Sequence, residues 1–335
     1  ISASPFPYAL VTVLLLTSVT LYSISHFFFG RRAYAMQAKA VVASRQVVLK
    51  SWRGWLATLP FILVITFALL PHIGVVLTSF AAPGSWYQSV IPLRLTGANY
   101  VEALGHVMTL NAIRNSLIFS LIAVLINIII GVLSAWLIVR SRLKPRMIID
   151  SLAMLPLAVP GLVMAFGYIS FSRYLASLFD MNDDSFWRNI LDVRENPTLF
   201  LVVAYAVRRL PYMVRAAVAG LQQTSLTLEE AGANLGAAPF KVLRRITLPL
   251  IMANLIAGVL LTFAFSMLEV SDSLMLAQKI EYYPITKTIF ELFQLVGVGN
   301  YLAAALGVWA MVFLMVAIIG SSLLLGKKLG ALFRT

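Results

Sequence analysis

The sequence has 335 residues, of which 60% are hydrophobic and 12% are charged, about half the charged share of an ordinary soluble domain. Its apolar residues form long blocks that match the roughly 20 residues a helix needs to cross a bilayer. Backbone within lipid must satisfy its own hydrogen bonds, so the blocks predict an all-α polytopic transmembrane helix bundle. The absence of cysteine excludes disulfides, thiol catalysis and cysteine metal sites.

Seven apolar blocks are long enough to predict membrane spans. They occupy residues 8–29, 56–80, 113–139, 151–172, 198–221, 250–276 and 301–326. The chain opens with Ile1, and no basic segment precedes the first block, so that block does not resemble a signal peptide. We therefore expect three parts. Residues 1–29 would be the last transmembrane helix of an upstream membrane domain that is not part of this sequence, residues 30–55 a basic cytoplasmic linker, and residues 56–335 a six-span domain.

The net charge of +13 follows the predicted membrane topology. Lysine and arginine concentrate in residues 30–55, 140–146, 241–245 and 327–334, whereas five acidic residues lie within 173–197. By the positive-inside rule, the basic segments and the C-terminus are cytoplasmic and the acidic loop is external. The distribution of basic residues therefore indicates that the lipid bilayer is the partner of this chain, and it argues against binding to nucleic acid.

Catalytic and metal-binding patterns are missing from the sequence. Its three histidines, His26, His72 and His106, are far apart and lack ligand spacing. No nucleotide-binding G-x-x-x-x-G-K-[ST] motif occurs, nor do the usual hydrolase or metalloprotease motifs. We predict a non-enzymatic chain with no cofactor of its own, so any ATP hydrolysis belongs to another subunit.

Residues 222–249 form a polar loop between the fifth and sixth predicted spans. Thr227 and Glu230 have the spacing of a capping box, which predicts a helix starting in the aqueous phase. One face of that helix would carry a narrow apolar stripe that is smooth because two of its four residues are small. The stripe consists of Leu228, Ala231, Gly232 and Leu235.

The second half of the loop predicts a turn and another short helix. Gly236 can end the first helix in the left-handed conformation, and Pro239 suits the first turn of the second. Pro249 would then open the next span. From these residues alone, a docking surface and an ordinary solvated loop remain equally compatible with the composition.

The spacing of the loop resembles the signature of permease subunits in type I binding-protein-dependent ABC importers. That family shows the pattern E-A-A-x3-G-x9-I-x-L-P, with one departure here, Gly232 in place of alanine. The matching positions, with the preceding acid, are Glu229, Glu230, Ala231, Gly232, Gly236, Ile246, Leu248 and Pro249. Within the family the chain is most similar to ferric-iron-type permeases, in which two such units are fused. Polyamine, thiamine and phosphonate permeases share much of the pattern.

The resemblance implies a set of partners and a location. The first loop helix would dock on a dimer of cytoplasmic ABC ATPases, which would hold the ATP and Mg²⁺. An external binding protein would deliver substrate, and a second permease unit would complete the pathway. The protein would be a multi-pass component of the bacterial inner membrane. We refer to residues 222–249 as the coupling loop.

Charges at membrane depth are candidate pathway or gate residues. Arg208 and Arg209 lie about 15 Å into a span by helical rise, and Glu269 and Asp272 lie on the next span. An Arg208–Glu269 pair that breaks on opening is one interpretation. Snorkelling to water is the other, and it is favoured for Arg209. Four residues are candidate helix breaks: Pro156, Pro160, Gly161 and Pro211.

One alternative of a different class is an ion-coupled secondary transporter with Glu269 and Asp272 as the coupling acids. Such a transporter needs no docking helix, so the coupling loop argues against it. A membrane enzyme is a third class, but the sequence offers it no catalytic constellation.

Overall fold

The computed structural model describes residues 6–29, 52–86, 89–141, 146–178 and 186–332. Within these ranges the fold is helical, and the only β-type pairing is a single bridge between Ala81 and Leu95. The helices are α1 (Phe6–Phe29), α2 (Trp52–Phe80), α3 (Ala98–Gly105), α4 (Thr109–Arg140), α5 (Arg146–Ala158), α6 (Gly161–Leu178), α7 (Phe186–Leu191), α8 (Thr198–Gln223), α9 (Leu226–Asn234), α10 (Pro239–Val242), α11 (Leu248–Leu250), α12 (Met252–Met267), α13 (Ser271–Leu276), α14 (Ile285–Phe293) and α15 (Gly299–Leu332). The prediction of an all-α membrane bundle is confirmed.

Four helical segments in the described part of the chain are long and apolar enough to cross a membrane. They are Trp52–Phe80, Thr109–Arg140, Met252–Leu276 and Gly299–Leu323. A fifth span results if α5 and α6, which are bent by 104° at the break between them, count as one. The predicted count of seven spans is therefore not confirmed.

The two remaining predicted spans differ from the others in composition or length. The apolar part of α1 is limited to Ala9–Leu21. Helix α8 has 26 residues but carries three arginines, Arg208, Arg209 and Arg215. It nevertheless lies at the centre of the fold, because its residues contribute to both hydrophobic clusters of the core.

Close helix packing places α8 between α4 and α12. A β-carbon on Gly131 of α4 would lie 2.5 Å from Cγ of Met213, and one on Gly258 of α12 would lie 2.8 Å from Cβ of Ala216. Glycine at both positions lets the helix backbones approach where a larger residue would separate them. The centre of the bundle is therefore a tightly packed group of three helices.

Some predicted segments lie outside the described residues. The predicted linker 30–55 falls mostly within residues 30–51, and its last residues, 52–55, already belong to α2. In the predicted acidic loop, Asp180, Asp183 and Asp184 are likewise outside the described ranges, whereas Asp192 and Glu195 are inside them.

Candidate functional site

The first helix of the coupling loop, α9, starts and ends through its own backbone chemistry. Ser225 is the N-cap, and its hydroxyl accepts a hydrogen bond from the Thr227 N–H at 3.3 Å. The predicted Thr227–Glu230 capping box is wrong, because the helix begins before Thr227. At the other end Gly236 has φ +83°, and Ala237 N–H donates to the Gly232 carbonyl at 3.1 Å. This arrangement confirms Gly236 as the left-handed end of the helix.

The second half of the loop contains an irregular turn before the next span. Pro239 is at the first turn of α10, as predicted, and a π-helix follows at Leu243–Thr247. Pro249 has no N–H to donate to the Arg245 carbonyl, which favours widening of the turn before it. The prediction that Pro249 opens the span is off by a few residues, because Pro249 lies in the one-turn helix α11 and the long helix begins at Met252.

The exposed surface of α9 differs from the predicted apolar stripe. Glu230, Leu228, Ala231 and Leu235 are exposed, with Leu235 at 90%. Gly232 is buried and faces the π-helix, where an added β-carbon would lie 2.6 Å from Cδ1 of Ile246. The prediction is therefore wrong for Gly232. The exposed surface of α9 and of its C-cap Leu235 therefore includes one carboxylate, Glu230, beside the apolar side chains of Leu228, Ala231 and Leu235.

Glu229, unlike the exposed Glu230, is largely buried and is bound within the chain. Its Oε1 accepts a hydrogen bond from Nε of Arg140 at 3.2 Å, although the two residues are 89 positions apart. Arg140 is the last residue of α4. From the sequence, Arg140 is only one of the basic residues in the segment 140–146, since nothing in the local pattern indicates its partner.

The four membrane-depth charges form one buried charge cluster of Arg208, Arg209, Glu269 and Asp272. Nε of Arg208 lies 3.2 Å from Oδ2 of Asp272 and 3.5 Å from Oε2 of Glu269. Nη2 of Arg209 donates to the same Oε2 of Glu269. The two acidic side chains are 4% and 0% exposed, so these contacts replace solvation by water.

The cluster corrects one prediction about the arginines and adds a partner to another. Snorkelling of Arg209 to water is wrong, because its side chain is mostly buried and pairs with Glu269. The predicted Arg208–Glu269 pair is present, but Arg208 lies closer to Asp272. Glu269 also accepts a hydrogen bond from the Ser271 N–H at 3.1 Å, which fixes the start of α13.

The bent helix pair touches the buried charge cluster at its break. Pro160 and Gly161 lie at the predicted position between α5 and α6, and a β-carbon on Gly161 would lie 2.4 Å from Nη2 of Arg208. Pro156 and Pro211 were also predicted as breaks, and both predictions are wrong. Each lies inside a continuous helix, α5 or α8, where only one backbone hydrogen bond is lost.

Three buried polar atoms of the cluster have no hydrogen-bond partner among the described residues. They are Nη2 of Arg208, Nε of Arg209 and Oδ1 of Asp272. Buried polar groups are normally satisfied by protein or by ordered water. Unsatisfied donors and an acceptor at one place are groups that can bind water or a polar solute.

A separate set of ion pairs lies in the loops at the far end of α8 from the coupling loop. Nζ of Lys279 donates to Oε2 of Glu195 at 2.7 Å, and this bond lowers the pKa of the Glu195 carboxyl. Nη2 of Arg194 lies 3.0 Å from Oδ2 of Asp192. The two described acids of the predicted acidic loop are therefore both paired.

Comparison with known families decides what these features belong to. Residues 127–329 match the model of the binding-protein-dependent transport system inner membrane component family. The chain belongs to this permease family. The matched residues include the coupling loop and the buried charge cluster, so both lie within the region that matches the family.

Relatives of the permease are named for different solutes. The sulfate transport system permease CysT of Salmonella typhimurium is 30% identical over 193 residues, which are 56% of this chain and 66% of that protein. The molybdenum permease ModB of Escherichia coli is 30% identical over 62% of this chain and 90% of its own length. The ferric permease FbpB of Actinobacillus pleuropneumoniae is 27% identical over 81% of this chain and 38% of its own length.

Solved structures support the fold of the permease. A bacterial ABC transporter that imports the polysaccharide alginate has a chain with a TM-score of 0.62 and 18% identity, covering 81% of this chain and 95% of that one. At this identity the likeness concerns the fold alone.

We expect Gly232→Ala to leave the permease as stable as the wild type or slightly more stable. Alanine gains about 1 kcal/mol of helix propensity over glycine. The new β-carbon would displace only Cδ1 of Ile246, the flexible end of that side chain. Gly232→Val, which is bulkier, should lower the thermal unfolding temperature. The double variant Gly232→Ala with Ile246→Val should have a higher thermal unfolding temperature than Gly232→Ala alone. A lower unfolding temperature in the double variant would contradict the packing of Gly232 against Ile246.

Proposed function

We propose that this permease forms part of the translocation pathway of an ABC importer and couples that pathway to a separate cytoplasmic ATPase through α9. The observation that carries the proposal is the outward surface of α9, where Glu230 is exposed within the stretch that resembles the signature of ABC importer permeases. The carboxylate would meet cationic or N–H donor groups of the ATPase, and Leu228 and Leu235 would pack around it. The ATPase dimer would hold ATP and Mg²⁺.

The remaining partners follow from the membrane arrangement. The basic segments favour a cytoplasmic coupling loop and a cytoplasmic C-terminus in the bacterial inner membrane. An external binding protein would deliver solute to the opposite side, and a second permease unit, fused upstream or separate, would complete the pathway. Closure of the ATPase dimer would move α9 and rock the two permease units between inward-facing and outward-facing states.

In this account the buried charge cluster is part of the gate. Its ion pairs join α8 to Glu269 in the turn after α12 and to Asp272 in α13, and the break between α5 and α6 packs on Arg208. Opening would separate these elements and expose Arg208, Arg209, Glu269 and Asp272 to water in the pathway. Charged side chains at membrane depth commonly line such cavities.

Ferric iron is our proposed solute. Among the relatives described above, the ferric permease matches the longest part of this chain, 284 residues. An oxyanion is the second candidate, since the sulfate and molybdenum permeases described above are each 30% identical to this chain. Specificity in such systems depends largely on the external binding protein, so the binding protein must be part of the test.

The test is uptake into proteoliposomes that contain the permease with its second permease unit, its ATPase and its binding protein. We expect ATP supplied on the side of the membrane that carries the ATPase to drive uptake of radioactive iron. An ATPase-inactive variant should abolish that uptake. Uptake of sulfate or molybdate, with no uptake of iron, would contradict ferric iron as the solute and support an oxyanion instead. Uptake driven by an ion gradient without the ATPase would overturn it in favour of a secondary transporter.

A further inference from the structure

Arg140 is bound to the coupling loop at three places. Its Nε donates to Oε1 of Glu229 at 3.2 Å, and its Nη2 donates to the carbonyl oxygen and to Oγ1 of Thr224, each at 3.1 Å. The Arg140 and Glu229 side chains are only 10% and 12% exposed. Charge-assisted hydrogen bonds from a planar guanidinium are strong and directional, especially where water is largely excluded.

An apolar cavity lies between α4 and the coupling loop. It has a volume of about 410 Å³ and separates Val132, Leu133 and Trp136 of α4 from Ala237, Phe240 and Leu243 of the loop. Empty space transmits no displacement, whereas bonded and packed groups do. Arg140 is therefore the bonded bridge between the end of α4 and α9.

The other attachments of α9 lead to different helices. Through Thr224 and Ser225 the chain itself joins α9 to α8. Through Gly232 and Ile246 the helix contacts the π-helix, which continues toward α12. Without Arg140, α9 would keep its links to α8 and to the π-helix but would lose its ion pair with α4.

We propose that Arg140 is a positioning residue that makes α4 move together with α9. The inference rests on the proposed function, because it assigns to Arg140 the transfer of ATPase-driven motion to a pathway helix. Helix α4 packs along α8 and α12, so its displacement reaches the buried charge cluster through α8. Loss of the bridge would let α9 follow the ATPase while α4 lags behind.

Arg140→Gln tests this through the coupling ratio, the number of solute molecules imported per ATP hydrolysed. In the reconstituted transporter we expect uptake to fall about tenfold while binding-protein-stimulated ATP hydrolysis stays within about twofold of the wild type. Glu229→Gln should show the same pattern more weakly, because Arg140 keeps Thr224. An unchanged coupling ratio in a folded Arg140→Gln transporter would overturn the proposal.

Arg215→Gln is the matched control. Arg215 also pairs with an acid on another helix, since its Nη1 lies 3.1 Å from Oδ1 of Asp150, and the pair joins α8 to α5 without touching α9. The control removes the same charge and one ion pair, and we expect its coupling ratio to equal that of the wild type. An equal fall in both variants would also contradict a specific role for Arg140.

A covalent bridge tests whether the link persists through the transport cycle. The chain has no cysteine, so Arg140→Cys with Glu229→Cys creates a unique pair for a short bismaleimide. We expect cross-linking to restore the coupling ratio that the uncross-linked double variant loses. Restoration means that α4 and α9 move together, whereas inactivation by the cross-link means that they must separate.

Hydrogen exchange separates this proposal from the proposed function. In the full permease without ATPase, we expect amides of residues 226–235 to exchange about tenfold faster in Arg140→Gln than in Arg215→Gln. Faster exchange with no ATP-driven uptake by the wild type would leave the bridge intact and overturn the proposed function. Equal exchange in the two variants would overturn the bridge.

Discussion

Glu230→Lys is expected to abolish ATP-driven uptake while leaving the permease in the membrane at its normal level. Glu230 is exposed on α9, and no ion pair or hydrogen bond holds its side chain within the described part of the chain. The folded permease therefore loses little by the substitution. The ATPase surface, by contrast, would meet a positive charge where it fits a negative one, and like charges facing each other at an interface cost several kcal/mol.

Two measurements check this prediction: uptake in proteoliposomes and the amount of ATPase that co-purifies with the permease. Glu102→Lys makes the same charge change on α3, at the opposite end of α4 from the coupling loop, and should retain the ATPase. Glu230→Gln should fall between Glu230→Lys and the wild type. Full uptake by Glu230→Lys would contradict docking of the ATPase on the coupling loop.

The end of α9 offers an independent disturbance of the same surface. Gly236 has φ +83°, and a valine there would strain the backbone by about 1–2 kcal/mol. Gly84 has φ +74° with open space around it, so Gly84→Val introduces the same strain away from the loop. We expect uptake to be lost only in Gly236→Val, because only there does the strain alter the direction in which α9 ends.

Glu269→Gln is expected to destabilise the permease by about 3–5 kcal/mol, the second large effect. Its carboxylate faces both Arg208 and Arg209 and also accepts the Ser271 N–H, so its loss leaves two buried guanidinium groups with Asp272 as the remaining acid. Thermal unfolding in detergent should show a clear fall in midpoint. Membrane levels of the variant should fall with it.

Replacing both partners distinguishes the pairs within the cluster. Arg209→Met with Glu269→Leu removes a charge of each sign and should recover stability relative to either single change, since an apolar pair avoids uncompensated charge. The exchange Arg209→Glu with Glu269→Arg should recover more than the exchange of Arg208 with Glu269, because Arg208 also depends on Asp272. Equal recovery by both exchanges would contradict these assignments.

Backbone chemistry explains which parts of the site the sequence predicts well. Gly236 and Pro239 act on the residues beside them, and the structure places them at the end of one helix and the start of the next. Ser225 and Thr227 are both capable caps. Choosing between them depends on where α8 ends, at Gln223, which local sequence does not specify.

Long-range contacts explain what the sequence could not predict. Arg140 and Glu229 meet only because α4 and α9 end beside each other in the folded chain. Arg209 pairs with Glu269 because of the rotational position of α8 relative to α12. The positions of charged residues in the sequence do not specify that rotation. Gly232 was assigned to the outward face from helical periodicity, but Ile246 of the π-helix covers it.

The most direct test of the account is site-specific cross-linking from the outward surface of α9. Leu235 is 90% exposed and Val296 is 98% exposed in a loop far from α9 along the fold, and the cysteine-free chain allows one cysteine at either position. With a photoreactive label in the assembled transporter, Leu235→Cys should cross-link to the ATPase subunit and Val296→Cys should not. Failure of Leu235→Cys to reach the ATPase, with its thiol still free to react with a water-soluble maleimide, would contradict α9 as the docking helix.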